Sequence, residues 1–318
     1  MRAVTLESFD APPALREVQR PEPAPDEVLV RVHSSSVNGY DAAVATLMVK
    51  DYYEYDFPVT LGADLAGVVE EVGSAAGRYR PGDEVFGFLF KPGQPLHDGT
   101  WADYVALQED WFIAPKPKNV GFVETGALPL AGVSALQAVD AIDPSEGDLV
   151  LVVGASGGVG GFAVELAAGG GAGVIATARP GDEARLRELG AAETIDFTQE
   201  DVVTAVRERY PDGIQGLIDT VDFADGFAAV AALVAPGGAA ASTLGAADEE
   251  ALAARSVTAT NVMASPDPAL LTRLAEQADA GRLKVAIDRT FPLGEAVEAV
   301  AAFGRGKRGK LAVTLDQT

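Results

Sequence analysis

The sequence predicts an α/β protein in two parts. A β-rich module covers residues 1–120 and is completed by residues 265–318, and a doubly wound parallel-sheet domain covers 121–264. Three observations carry this. The apolar run Leu149-Val150-Leu151-Val152-Val153 passes into a glycine turn, which opens the stretch Gly161-Phe162-Ala163-Val164-Glu165-Leu166-Ala167. From residue 122 onward, strand-type runs alternate with helix-type runs, the pattern of a parallel sheet wrapped by helices. Before residue 120 the chain reads instead as short strands punctuated by Pro and Gly.

The elements follow in order. Residues 1–6 read as a strand, then 27–33, 67–72, 84–88 and 104–107, with turns such as Arg80-Pro81-Gly82-Asp83 between them. A helix is expected from about 124 to 140. Strands at 149–153, 173–178, 193–196, 216–220 and 238–243 alternate with helices from 158, at 182–189, at 201–210 and at 226–233. A further strand at 256–263, a helix at 268–280, a strand at 285–288, a helix at 293–303 and a closing strand at 311–315 complete the chain.

Composition narrows the function classes. The chain has 318 residues, of which 48% are hydrophobic, enough for two domains with sizeable cores. It has no cysteine, which excludes disulfides, thiolate ligands and thiol nucleophiles. Its net charge of −23 argues against nucleic acid or an anionic membrane as partner. No apolar segment of membrane-spanning length is free of glycine and charge, and the first residues lack a signal-peptide pattern, so the expected location is cytoplasmic.

The turn Ala155-Ser156-Gly157-Gly158-Val159-Gly160 suits a dinucleotide pyrophosphate. Glycines let the backbone approach the phosphates, and free N–H groups at the helix start face the negative charge. Alanine stands where the first glycine of the fingerprint is expected. The second strand ends at Arg179, the position where an NAD site carries an acid for the ribose 2′-hydroxyl. An arginine there attracts a 2′-phosphate, so the expected cofactor is NADPH. Thr177 and Arg185 are candidate helpers. Leu244 and Gly245 follow a strand end, where ligands of parallel sheets bind.

Several segments resemble the medium-chain dehydrogenase/reductase superfamily along nearly the whole chain. They are Ser36-Val37-Asn38-Gly39-Tyr40-Asp41, Gly62-Ala63-Asp64-Leu65-Ala66-Gly67-Val68-Val69, Gly99-Thr100-Trp101-Ala102-Asp103-Tyr104, Ala127-Leu128-Pro129-Leu130-Ala131-Gly132, the glycine turn, and Gly309-Lys310-Leu311. Within it the chain is similar to the zinc-independent quinone oxidoreductase (zeta-crystallin-like) branch. The resemblance implies a GroES-like β-rich catalytic domain, a Rossmann NADPH-binding domain and a homodimer. Zinc-dependent members carry a cysteine near Asn38 and Gly-His-Glu where Gly62-Ala63-Asp64 stands, so no metal is expected. The two histidines, His33 in a strand and His97 in the loop 92–99, cannot close a zinc site by themselves.

The resemblance also implies that Asn38 and Tyr40 lie near the nicotinamide and the substrate carbonyl, and that Ser134 lies near the cofactor. Related reductases place a cleft tyrosine near Tyr52, with Tyr53 as the alternative, and a phenol there can donate to a developing enolate. Asp64 is expected to hold an ion pair or local structure, Asp41 to serve as a helix cap, and Lys310 to reach cofactor or structure. Without a metal, hydride transfer to a conjugated acceptor is the easier chemistry, because a quinone or enone delocalises the incoming charge. The expected function is thus an NADPH-dependent reductase of quinones or α,β-unsaturated carbonyls. An enoyl-thioester reductase and a noncatalytic NADPH-binding structural or sensor protein are the alternatives.

Overall fold

Local sequence decides where the elements start and stop in the computed structural model, which describes residues 1–315. The chain divides into two units. The first comprises Met1–Leu130, Ser265–Ala280 and Val285–Thr318, and the second comprises Ala131–Ala264 and Gly281–Lys284.

The first unit begins with β1 (Arg2–Leu6), β2 (Ala14–Glu17) and β3 (Glu27–Val37). Helix α1 (Gly39–Ala45), β4 (Val59–Thr60), β5 (Asp64–Val72), β6 (Glu84–Phe88), β7 (Tyr104–Gln108) and β8 (Ile113–Pro115) follow. The expected helix at 124–140 is two pieces, α2 (Phe122–Thr125) and α3 (Pro129–Ile142). Pro129, which has no N–H to give, fits a helix start and not its interior. The sequence puts the first boundary near 120, whereas the first unit runs on to Leu130. The reason is local: α2 packs on β3, where the Ser34 hydroxyl donates to the Phe122 carbonyl.

The second unit holds β9 (Leu149–Val153), α4 (Gly158–Gly169), β10 (Gly173–Ala178), α5 (Glu183–Glu188) and β11 (Glu193–Asp196). It continues with α6 (Val202–Arg209), β12 (Ile214–Asp219), α7 (Ala224–Ala231), β13 (Val234–Ser242), α8 (Glu249–Ala253) and β14 (Thr258–Asn261). Its sheet has the order β11-β10-β9-β12-β13-β14, every pair parallel. Counted from β9 this is 3-2-1-4-5-6, the doubly wound dinucleotide-binding order, whose ligand site lies off the carboxyl ends of the strands. Leu151, Ile175, Leu217, Val206 and Phe227 build its core.

The chain then returns to the first unit with α9 (Pro268–Asp279), β15 (Ile287–Pro292), a 3₁₀ turn at Leu293–Glu295, α10 (Ala296–Gly304) and β16 (Lys310–Thr314). Here β15, β16, β3, β5, β6 and β8 form one sheet, with β7 also on β3, while β2-β1-β4 forms a second. Val30, Leu65, Trp101, Phe112 and Leu311 are among its core residues. No helix among the described residues is long and apolar enough to cross a membrane.

The short return Gly281–Lys284 belongs to the second unit because of one buried acid on α4. The Glu165 carboxylate accepts the Lys284 N–H at 3.0 and 3.1 Å. Burial pushes this acid from 4.5 up to about 7, against the pull of the Lys284 N–H and charge. The folded state therefore holds the proton more tightly than the unfolded chain. Stability falls as pH rises from about 4.5 to about 7, by up to roughly 3 kcal/mol from this residue. Glu165→Gln keeps an acceptor for the N–H and removes the titration. Its urea-denaturation midpoint should lose this share of the decline between acid and neutral pH; a profile parallel to that of the wild type would refute the assignment.

Candidate active site

The glycine turn between β9 and α4 is built around Gly154. This residue has φ +80°, a conformation open to glycine at little cost. The left-handed residue is thus one position earlier than the fingerprint's first glycine, which is why alanine is accommodated at Ala155, fully buried behind it. A Cβ on Gly160 would stand 2.3 Å from the Gly154 carbonyl oxygen, so only glycine lets the turn close on the helix. Gly157 is the N-cap of α4, and no side chain caps it. The N–H groups of Gly158, Val159 and Gly160 lie in the first turn, where a helix supplies no partner. The Ser156 side chain is buried there, and its hydroxyl has no hydrogen-bond partner among the described residues. Uncapped N–H groups beside an orphaned hydroxyl make a cradle for an anion.

Thr177 supports this cradle from below. Its buried hydroxyl accepts the Gly154 N–H at 2.9 Å, and the Val152 carbonyl lies 3.5 Å away. Arg185 also serves the turn, donating from Nη2 to the Ser156 carbonyl at 3.1 Å. Arg179 is exposed at the end of β10 and makes no ion pair with an acid among the described residues. Leu244 and Gly245 are exposed beyond β13, in a loop held by the Ser242 hydroxyl, which accepts the Leu244 and Ala246 N–H groups. Ser134 lies half-buried on α3. The second unit therefore brings Ala155 to Gly160, Thr177 and Arg179 to the carboxyl ends of β9 and β10.

In the first unit, strand register brings four polar residues together in the interior. The pair Leu311↔Val37 between β16 and β3 places Lys310 opposite Asn38, one step further on. The pair Ser34↔Ala66 between β3 and β5 places Ser36 near Asp64, two steps on. Asp64 is fully buried; its Oδ2 accepts the Ser36 hydroxyl at 2.6 Å and Asn38 Nδ2 at 2.8 Å. Its Oδ1 accepts the Leu130 N–H at 2.8 Å. The buried Lys310 ammonium stands 3.6 Å from Asp64 Oδ2 and donates to Asn38 Oδ1. Burial lowers the lysine's proton affinity, and Asp64 and Asp41 pull it back up. Asp41 accepts the Asn38 N–H at 2.7 Å across the first turn of α1; burial and Asp64 push it from 3.8 up to about 7.

Asn38 is the N-cap of α1 and is buried, with its carboxamide held at both ends by Asp64 and Lys310. Tyr40 is half-buried, and its ring meets Tyr53 and Phe90 edge-on. Burial raises the pKa of its phenol well above the usual tyrosine value. Tyr52 is 83% exposed, so Tyr53 is the tyrosine that packs against Tyr40. His97 bonds the Asp56 carbonyl through Nδ1 at 2.9 Å and is half exposed. The sequence pattern alone does not pair Lys310 with Asn38 and Asp64, which lie far away in the chain.

A doubly wound sheet with an uncapped glycine turn, in one chain with a separate β-rich unit, defines a dinucleotide-dependent dehydrogenase or reductase. Comparison with known proteins narrows this class. Residues 24–118 match the alcohol dehydrogenase GroES-like domain, and residues 189–313 match the zinc-binding dehydrogenase family. The mouse protein named NAD(P)H oxidoreductase RTN4IP1, mitochondrial, is 30% identical over 92% of this chain and 82% of its own length. The Arabidopsis thaliana NADPH-dependent alkenal/one oxidoreductase, chloroplastic, is 34% identical over 64% of this chain and 52% of its own. The solved quinone oxidoreductase of Coxiella burnetii superposes with a TM-score of 0.88 at 28% identity, covering 99% of each chain. The chain belongs to the medium-chain dehydrogenase/reductase superfamily, in its quinone oxidoreductase branch.

Proposed function

We propose that the protein is an NADPH-dependent reductase that passes hydride to a quinone or an α,β-unsaturated carbonyl, without zinc. The observation that carries the cofactor assignment is the uncapped start of α4 together with the exposed Arg179 at the end of β10, which makes no ion pair among the described residues. When bound, NADPH supplies the hydride. The N–H groups of Gly158 to Gly160 and the Ser156 hydroxyl hold the pyrophosphate, and Arg179 pairs with the 2′-phosphate. Ser134, Leu244 and Gly245 are the proposed nicotinamide-side residues. The acceptor class is supported by the names of the relatives, a quinone oxidoreductase and an alkenal/one oxidoreductase.

Asn38 and Tyr40 are the proposed acceptor-side residues, with a tyrosine of the 52–53 pair, of which Tyr53 meets the Tyr40 ring and Tyr52 is exposed. The Tyr40 phenol stays protonated at neutral pH and so remains a donor to an enolate or quinol oxygen. Asn38, braced by Asp64 and Lys310, fixes the start of the helix that carries Tyr40.

The zinc named in the matched family does not fit these residues. Ala63 has no donor atom, the chain has no cysteine, and Asp64 is engaged by Ser36, Asn38 and the Leu130 N–H. Lys310 already supplies a positive charge beside that carboxylate. The proposal includes a homodimer joined through β14, supported by its place at the edge of the sheet. It also includes a cytoplasmic setting, for which the cysteine-free composition is the support.

The test is oxidation of reduced nicotinamide with an ortho-quinone, a small enone and an enoyl thioester, NADPH beside NADH. Turnover of quinone or enone with NADPH preferred is expected. Turnover of the thioester alone would replace the acceptor assignment, and tight NADPH binding with no turnover would replace the enzyme by a binding protein.

A further inference from the structure

Arg179 opens a tight turn. Pro180 and Gly181 are its central residues, Gly181 has φ +81°, and the Asp182 N–H donates to the Arg179 carbonyl at 3.0 Å. Proline followed by a left-handed glycine is the pattern of a type II turn, which brings its first and fourth Cα atoms within about 7 Å. The fourth residue here is an acid, Asp182, only 1% exposed. A carboxylate on the residue that closes this turn, three positions from the arginine that receives a 2′-phosphate, opposes that phosphate, and its burial limits screening by water.

The opposition is cancelled from α5. Arg185 Nε donates to Asp182 Oδ1 at 2.8 Å and Nη2 donates to Oδ2 at 3.1 Å, a fork on a carboxylate. The same Nη2 reaches the Ser156 carbonyl in the glycine turn. One guanidinium thus ties together the loop that begins at Arg179 and the cradle at the start of α4.

We propose that Arg185 sets the choice of NADPH over NADH as a positioning residue, by neutralising Asp182 beside the 2′-phosphate site while holding Ser156. The inference rests on NADPH binding and is independent of the acceptor, so binding alone tests it. Dissociation constants for NADPH and NADH are measured by nicotinamide fluorescence for the wild type, Arg185→Gln, Asp182→Asn and the double variant, with melting temperatures alongside. Arg185→Gln should lower the preference for NADPH by about tenfold or more, since the buried carboxylate loses the cationic fork that Arg185 gives it. The double variant removes that carboxylate and should recover the preference to within about threefold, as coupled neighbours do. A purely structural role predicts no such recovery of the ratio.

A folded Arg185→Gln with an unchanged ratio would overturn the proposal, as would a lost ratio that the double variant fails to restore. If Arg185→Gln does not fold, Asp182→Asn decides. Its ratio must hold or rise, and a fall overturns the proposal. A wild-type chain that binds neither nucleotide overturns the cofactor assignment itself, a result distinguishable from a changed ratio.

Discussion

Lys310→Met is expected to destabilise the first unit by about 3–5 kcal/mol, the range for removing one partner of a buried ion pair. Methionine keeps the length and apolar stem of lysine, so lost packing is a minor part of the effect. What disappears is the cation facing two buried carboxylates, Asp64 at 0% and Asp41 at 2% exposure. Asn38 Oδ1 also loses its donor. Asp64→Asn in the same chain removes the stranded charge and should return much of the loss. The pH dependence has a defined sign. Asp41 rises from 3.8 to about 7 on folding, so stability falls as pH increases through that window. The variant should therefore lie closest to the wild type in acid and furthest from it above neutrality. Urea denaturation across pH checks this. A loss below about 1 kcal/mol at neutral pH would mean that the lysine is neutral or hydrated in the fold.

Arg179→Ala should weaken NADPH binding by roughly 10- to 100-fold and leave NADH nearly unchanged, because a hydrogen bond to a charged group contributes about 1.5–3 kcal/mol. The guanidinium is exposed and makes no ion pair with an acid among the described residues, so none of those acids competes for it. The net charge of −23 opposes a phosphate at long range, which makes a local cation more necessary. Salt should separate the two cofactors. Added salt weakens an exposed ion contact, so the NADPH advantage of the wild type shrinks with ionic strength and that of the variant does not. Equal losses for both nucleotides would remove Arg179 from the 2′-phosphate and assign it to the fold.

The second unit was legible because its signals are local. The β9 strand, glycine turn and α4 are contiguous, and short apolar strand runs alternate with longer helix-type runs through the unit. The precise role of Gly154 was not legible, since a positive φ leaves no mark beyond the glycine itself. Arg185 and Asp182 sit three apart and so share a helix face, yet their burial and the bond to Ser156 depend on how α5 packs. The Asn38, Asp64 and Lys310 cluster was the hardest to read. It joins residues 272 apart, and pattern reasoning has no reach at that separation. Tyr52 and Tyr53 differ by one position, and sequence similarity alone does not say which of them packs inward.

The shared edge of β3 has a consequence for synthesis on the ribosome. One edge of this strand takes β5, while the other is divided, with β7 pairing at 27–31 and β16 at 34–37. All six strands of the parallel sheet are translated before β16. The inserted unit can therefore complete its hydrogen bonding while the stretch Ser34 to Val37 still lacks its β16 neighbour on one edge. An unpaired strand edge invites wrong partners, so the nascent first unit carries its greatest misfolding hazard until its final strand emerges. The residue that ends this interval is Lys310, which arrives as both the start of the missing strand and the counter-ion its buried acids await.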